Sequence, residues 1–166
     1  MKPSDFVTKY YNDAKACELS TRIPALFTLA QCALETGWAE HAPGNMMFGI
    51  KDTDGVNGNE QLITTTEYSR KDTLSFPQII SKVFNPVTKY WKYTVKDYFR
   101  KYNSAKESFE DHAKFFMTNA RYKDNFSKCG NDPYKWADEV SADGYATGPN
   151  YAAQLKAIIK MLESYV

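Results

Sequence analysis

Between Pro24 and Gly37 the chain reads Ala25-Leu26-Phe27, Leu29-Ala30 and Cys32-Ala33-Leu34, interrupted only by Thr28 and Gln31, before it reaches Glu35-Thr36. A helix so nearly apolar all round has little it can show to water, so it belongs at the centre of a fold under other elements. Pro24 suits the entry to a helix, where a missing N–H costs nothing, and Gly37 suits its exit because glycine accepts the left-handed backbone that ends helices. A charged residue at the end of such a rod is conspicuous. The helix macrodipole disfavours a carboxylate at a C-terminus by roughly 0.3–1 kcal/mol, less than one pKa unit. Desolvation by apolar neighbours must supply the rest if Glu35 is to hold a proton near neutral pH. The opposing reading is a helix-terminal Glu pointing into water, and the residues alone leave both open. Gln31, one turn back, and Trp38, three residues on, fall on the face of Glu35.

Helical spacing recurs on both sides of this segment. Ser4 is placed to cap a helix carrying Phe6, Val7, Tyr10, Tyr11, Ala14 and Cys17. Ser104-Ala105-Lys106-Glu107 has the capping-box pattern ahead of Phe109, Ala113, Phe116 and Met117. A further helix opens at Asp132-Pro133 and carries Trp136 and Val140 before Gly144, and a last one holds Ala152, Leu155, Ile158, Ile159 and Leu162. Between these, the Gly and Asn content from Pro43 to Glu60 signals turns. Leu62 to Tyr68 reads as a strand, and Trp91, Tyr93 and Val95 alternate with Lys92, Thr94 and Lys96 as a half-exposed strand should. The stretch from Pro77 to Pro86 matches neither period. The order predicts a single α+β domain over residues 1–166, a mostly helical lobe with a small antiparallel β-lobe at about 44–100 and a groove between them.

Composition narrows the partners. A net charge of +1 and a pI near 7.6 offer no basic field to hold a nucleic-acid backbone. No apolar run is long enough to span a bilayer, and Met1-Lys2-Pro3-Ser4-Asp5 leads into an amphipathic segment, so neither membrane insertion nor a signal peptide is expected. Twelve Tyr and three Trp suit a sugar-binding cleft, although core packing absorbs many of them. Cys17, Cys32 and Cys129 cannot all pair and lack CxxC spacing, so they read as buried thiols. His41 and His112 form no metal-ligand pattern. Asp52-Thr53-Asp54-Gly55 begins like a calcium loop, but Val56 and Ile63 stand where oxygen ligands belong. Neither a metal nor an organic cofactor is expected, and the protein should be a monomer.

Glycosidic cleavage usually employs two carboxyl groups flanking the scissile bond. Glu67 is the leading partner for Glu35, with Asp52, Asp54, Glu60 and Asp72 as rivals that spacing does not separate. Two other classes compete. A cysteine peptidase or amidase would use Cys32 or Cys129 with His112, but a thiol inside an apolar helix is inert and His112 reads as a helix-surface residue. A non-catalytic sugar-binding module would explain the aromatics and leave Glu35 without a purpose.

Several segments in order resemble glycoside hydrolase family 73, the N-acetylglucosaminidase-type wall hydrolases that include flagellar-rod hydrolases, autolysins and phage lysins. They are Ile23-Pro24-Ala25-Leu26 with Ala30 to Trp38, Asn45-Met46-Met47-Phe48-Gly49-Ile50-Lys51, Thr64-Thr65-Thr66-Glu67-Tyr68, Phe99 to Tyr102 with Glu107-Ser108-Phe109, Arg121-Tyr122, and Gly144-Tyr145-Ala146-Thr147. The resemblance implies a lysozyme-like fold, with Glu35 as catalytic acid, Glu67 as the second, β-lobe carboxylate and Tyr145 as the tyrosine near the catalytic Glu. It implies a sugar groove walled by Trp38, Phe48 and Tyr122, with Gln31 beside Glu35 as a further substrate contact. The implied reaction is hydrolysis of the β-1,4 bond after N-acetylglucosamine in peptidoglycan, with an N-acetylmuramidase or a lytic transglycosylase as alternatives. Such an enzyme would act on the bacterial wall, outside the cytoplasm, as a phage lysin or as a domain of a longer secreted protein. Two departures stand out: Gly148 occupies the place of the family's Asp, and residues 72–96 exceed the family's usual hairpin.

Overall fold

The computed structural model describes residues 1–52, 58–146 and 148–166. Its contacts resolve two compact units, one of Met1–Phe48 with Tyr102–Val166, the other of Gly49–Lys101.

The first unit is helical, with α1 Pro3–Thr21, α2 Ala25–Thr36, α3 Ala105–Thr118, α4 Asn125–Cys129, α5 Pro133–Ala142 and α6 Tyr151–Glu163. The apolar helix is central, as its composition requires: α2 packs against α1, α5 and α6, and Phe27, Leu29, Ala30 and Cys32 are fully buried. Phe27 meets the rings of Phe116 and Trp136 at centroid distances of 5.9 and 5.6 Å, joining α2 to α3 and α5. Asp132 caps α5 through the N–H groups of Tyr134 and Lys135, with Pro133 in the first turn. At α3, Ser104 accepts from the Glu107 N–H, and the Glu107 carboxylate accepts from Asn103 rather than from Ser104 itself. The expected cap at Ser4 is corrected. Helix α1 begins earlier, with Lys2 at the cap position and Pro3 in the first turn, because the fixed φ of proline is already helical and needs no donor.

The second unit is a three-stranded antiparallel sheet of β1 Glu60–Ser69, β2 Gln78–Phe84 and β3 Trp91–Arg100 in the order β1-β3-β2. The stretch that matched no period is the edge strand β2, every residue of which is exposed. With water on both faces it has no reason to alternate. Alternation does mark β3, where Tyr93, Val95 and Phe99 are buried. Register sets Glu67 opposite Tyr93 and Lys82 on one face, and Tyr68 opposite Lys92 and Val83 on the other.

Candidate active site

Glu35 occupies the last turn of α2, and the backbone after it is unusual. Gly37, Trp38 and Ala39 take successive left-handed conformations, with φ of 57°, 60° and 64°. Such a conformation costs a non-glycine residue roughly 1–2 kcal/mol. Thr36 pins the turn: its hydroxyl accepts from the Ala39 N–H at 2.8 Å, and its carbonyl accepts from the His41 N–H at 2.9 Å. Trp38 is thereby held directly beyond Glu35, its ring edge-on to Phe6 at 5.4 Å.

Glu35 is exposed, yet the protein packed around it raises its carboxyl above the ordinary value by desolvation. The two observations describe a carboxyl set against a dense wall and open on one side. Tyr145 and Tyr151 belong to that wall, their rings stacked at 5.9 Å, with Tyr145 also stacked on Phe116 at 5.7 Å. Burial first, and the nearby Glu35 charge second, push the Tyr145 phenol well up. Burial also pushes up the Tyr151 phenol, opposed in part by its bond from Gln31 and reinforced by Glu35. Both phenols therefore keep their protons near neutral pH.

Beneath this wall runs a buried polar chain. Gln31 donates through Nε2 to the Tyr151 hydroxyl at 2.9 Å, and its Oε1 lies 2.7 Å from His112 Nε2. An amide oxygen only accepts, so His112 carries its hydrogen on Nε2. Burial holds this imidazole neutral, its pKa pushed down to about 3. Its ring lies on Phe48 at 3.8 Å and edge-on to Phe116 at 4.9 Å. A phenol that accepts from Gln31 still has its own O–H to donate.

The residues singled out from sequence thus separate by exposure. Trp38 and Tyr145 keep accessible surface, whereas Gln31, Phe48 and Tyr122 are 0, 0 and 2 % exposed and lie behind the surface. His112 is corrected from a helix-surface residue to a core one, because its ring replaces a hydrophobe between Phe48 and Phe116 while Gln31 satisfies one nitrogen. Sequence reading missed Tyr151; the available signal was Gln31 itself, a polar group in an apolar helix that must have partners. A Cβ at Gly148 would meet no neighbour, so nothing there demands glycine, and the Gly148 carbonyl accepts from the Tyr151 N–H at 3.3 Å.

Glu67 lies in the sheet unit. Its carboxylate takes a hydrogen bond from Lys51 Nζ at 3.0 Å, and Lys51 also pairs with Asp97 at 3.1 Å. Burial pushes the Lys51 ammonium pKa down, and the bonds to Glu67 and Asp97 outweigh it, for a net rise. Of the rivals, Asp72 is exposed, Glu60 opens β1 opposite Arg100, Asp52 donates its backbone N–H to the Tyr98 carbonyl, and Asp54 lies outside the described residues. Most of the discarded calcium-loop start, Thr53 to Val56, lies outside them too. All three cysteines are free and buried, with the Cys17 and Cys129 thiols pushed up to about 11 and Cys32 higher still by burial. None supplies a thiolate near neutral pH. Among the described residues no group of three or more His, Cys, Asp or Glu is arranged to hold a metal ion.

Comparison with known proteins converges on one group. Residues 11–164 match the family model for glucosaminidases, described as mannosyl-glycoprotein endo-beta-N-acetylglucosaminidase. The chain is 28% identical over 167 residues to the peptidoglycan hydrolase FlgJ of Salmonella typhimurium, covering 96% of this chain and 46% of that protein. It is 30% identical over 141 residues to the exo-glucosaminidase LytG of Bacillus subtilis, covering 80% of this chain and 42% of that one. The chain therefore spans less than half the length of these relatives. Among solved structures, the glycoside hydrolase domain of Salmonella typhimurium FlgJ superposes with a TM-score of 0.68 at 26% identity, covering 99% of this chain and 90% of that one. The α+β, lysozyme-like class read from the sequence is the class of these glycoside hydrolase domains.

Proposed function

Because the chain belongs to the glucosaminidase family, a family of glycoside hydrolases, we propose that it hydrolyses the β-1,4 bond after N-acetylglucosamine in peptidoglycan, with Glu35 protonating the leaving oxygen. The observation that carries this reading is the desolvated Glu35 carboxyl at the end of α2, raised above its ordinary value beside two phenols that remain protonated. A general acid must hold a proton at the working pH and still reach the substrate; desolvation shifts Glu35 toward its protonated form, and its exposure leaves it within reach. Tyr145 acts beside it as a hydrogen-bond donor to the sugar, and Trp38 offers its ring as an apolar surface for it. Gln31, Phe48 and Tyr122 hold these groups from behind. Glu67, paired with Lys51, is the second carboxylate, activating water or stabilising the oxocarbenium-like transition state. The chain works as a monomer on the bacterial wall, outside the cytoplasm, and needs no cofactor. Among the described residues no helix is long and apolar enough to cross a membrane.

The test is to digest purified peptidoglycan, reduce the fragments with borohydride and identify the new ends by mass spectrometry. Cleavage after N-acetylglucosamine yields N-acetylglucosaminitol, and the folded Glu35→Gln variant yields essentially none. N-acetylmuramitol or anhydro-muropeptides as the main product would overturn the bond assignment. A Gln variant as active as the parent would remove Glu35 from the chemistry.

A further inference from the structure

The sheet has a second face that this reaction does not use. Tyr68, Lys92 and Val83 form one cross-strand row on the side opposite Glu67, Tyr93 and Lys82. With Asn85, Thr88 and Tyr90 they line a cavity of about 460 Å³. All six of these residues are exposed, with Tyr68 at 65 %, Val83 at 59 % and Tyr90 at 37 %. The Arg70 guanidinium lies over the Tyr90 ring at 5.2 Å. Among the described residues neither Arg70 nor Lys92 has an acidic partner.

The β2 and β3 residues of this row come from a basic stretch, in which Lys82 belongs to the other face. Residues 70–96 contain Arg70, Lys71, Lys82, Lys89, Lys92 and Lys96 against Asp72 alone, a surplus of five positive charges in a chain whose net charge is +1. The rest of the chain therefore carries four net negative charges, and this segment is the part suited to an anion.

We propose that this cavity is a second binding site, taking the carboxylate-ended peptide stems of the wall polymer rather than its sugars. The proposal rests on peptidoglycan being the substrate. Charge decides between peptide and sugar, because the sugars are neutral and the stems end in carboxylates. The Asn85 carboxamide oxygen is committed to the N–H groups of Val87 and Thr88, and the Thr88 hydroxyl to that of Tyr90. The Tyr68 and Tyr90 rings, the Val83 side chain and the Arg70 and Lys92 cations match small apolar side chains ending in a carboxylate. Binding here would hold the enzyme on an insoluble polymer while Glu35 acts elsewhere, raising the local concentration of scissile bonds.

The experiment uses protein carrying Glu35→Gln, so that nothing is cut, co-sedimented with purified sacculi. Tyr68→Ala with Lys92→Glu should weaken binding about tenfold, as should Val83→Glu, which places a negative charge in the cavity from another strand and leaves the neighbour of Glu67 untouched. Thermal midpoints establish that each variant is folded. Sacculi stripped of stem peptides by an amidase should bind the parent and the variants equally weakly. Equal binding of parent and variants to intact sacculi would overturn the proposal. So would a difference that survives stripping, which points to a sugar, or one that vanishes when phosphate-containing wall polymers are extracted. The proposed reaction is read separately from sugar release by the unmutated enzyme, so a chain that binds stems but releases no reducing ends would sink the reaction and leave the site.

Discussion

A carboxyl that must give a proton to a leaving oxygen is useful only while it holds one, and that requirement ties the function of Glu35 to its stability. Its pKa is raised in the folded protein, so between the ordinary value and the raised one the native state binds more protons than the unfolded chain. Stability contributed by Glu35 is therefore present at acid pH and is lost as pH rises through the raised value. Glu35→Gln should be more stable than the parent at neutral pH, and the advantage should shrink on acidification; thermal midpoints measured across pH show whether it does. The same titration should set the alkaline limb of the parent's pH–rate profile above the ordinary carboxyl range. His112 works in the other direction. Its folded pKa is pushed down to about 3 from 6.5, so the unfolded chain takes up a proton first as pH falls. Stability should decline below pH 6.5 with a slope approaching about 1.4 kcal/mol per pH unit from this residue. Urea denaturation of parent and His112→Gln from pH 7 to 4 isolates that slope: the variant should be less stable at neutral pH and less acid-sensitive, and parallel curves would refute the assignment.

At the scale of elements, the end of α2 and the edge of the sheet show where local rules stop. Gly37 ends α2 as a glycine should, with φ of 57°, and Gly37→Ala should cost about 1 kcal/mol. A Cβ there would meet only His41 Cδ2, at 3.4 Å, so the cost is backbone strain rather than a clash. Ala39 has the same left-handed backbone without glycine's freedom, so Ala39→Gly should stabilise by up to about 1 kcal/mol. Chemical denaturation of the two variants should therefore give shifts of opposite sign. Periodicity could announce the stop at Gly37. It could not announce that Trp38 and Ala39 continue in the left-handed region, because their own preferences oppose it and the bonds that Thr36 accepts from Ala39 and His41 hold it. The edge strand β2 was hidden for the complementary reason: a strand with both faces in water carries no burial pattern to read.

For the whole molecule, the thiols give a direct probe of the folded state. Cys17, Cys32 and Cys129 are buried and free, with raised pKa values, so a disulfide reagent at neutral pH should label almost none in the native protein and all three after unfolding. Rapid native labelling of any one would show that its helix opens. The sequence by itself determined the central helix, most of the other helices and two of the strands, since these follow from spacings of apolar residues that water enforces wherever the element sits. It also made Glu35 conspicuous, as a charge at the end of an apolar rod. The tertiary structure decided what lies around that charge. Tyr151 follows Gln31 by 120 residues and His112 follows it by 81, and no local pattern encodes that these three meet in one buried chain. The reason is physical: a polar group in a core is satisfied by whatever partner packing brings to it, and packing joins residues that the sequence keeps apart.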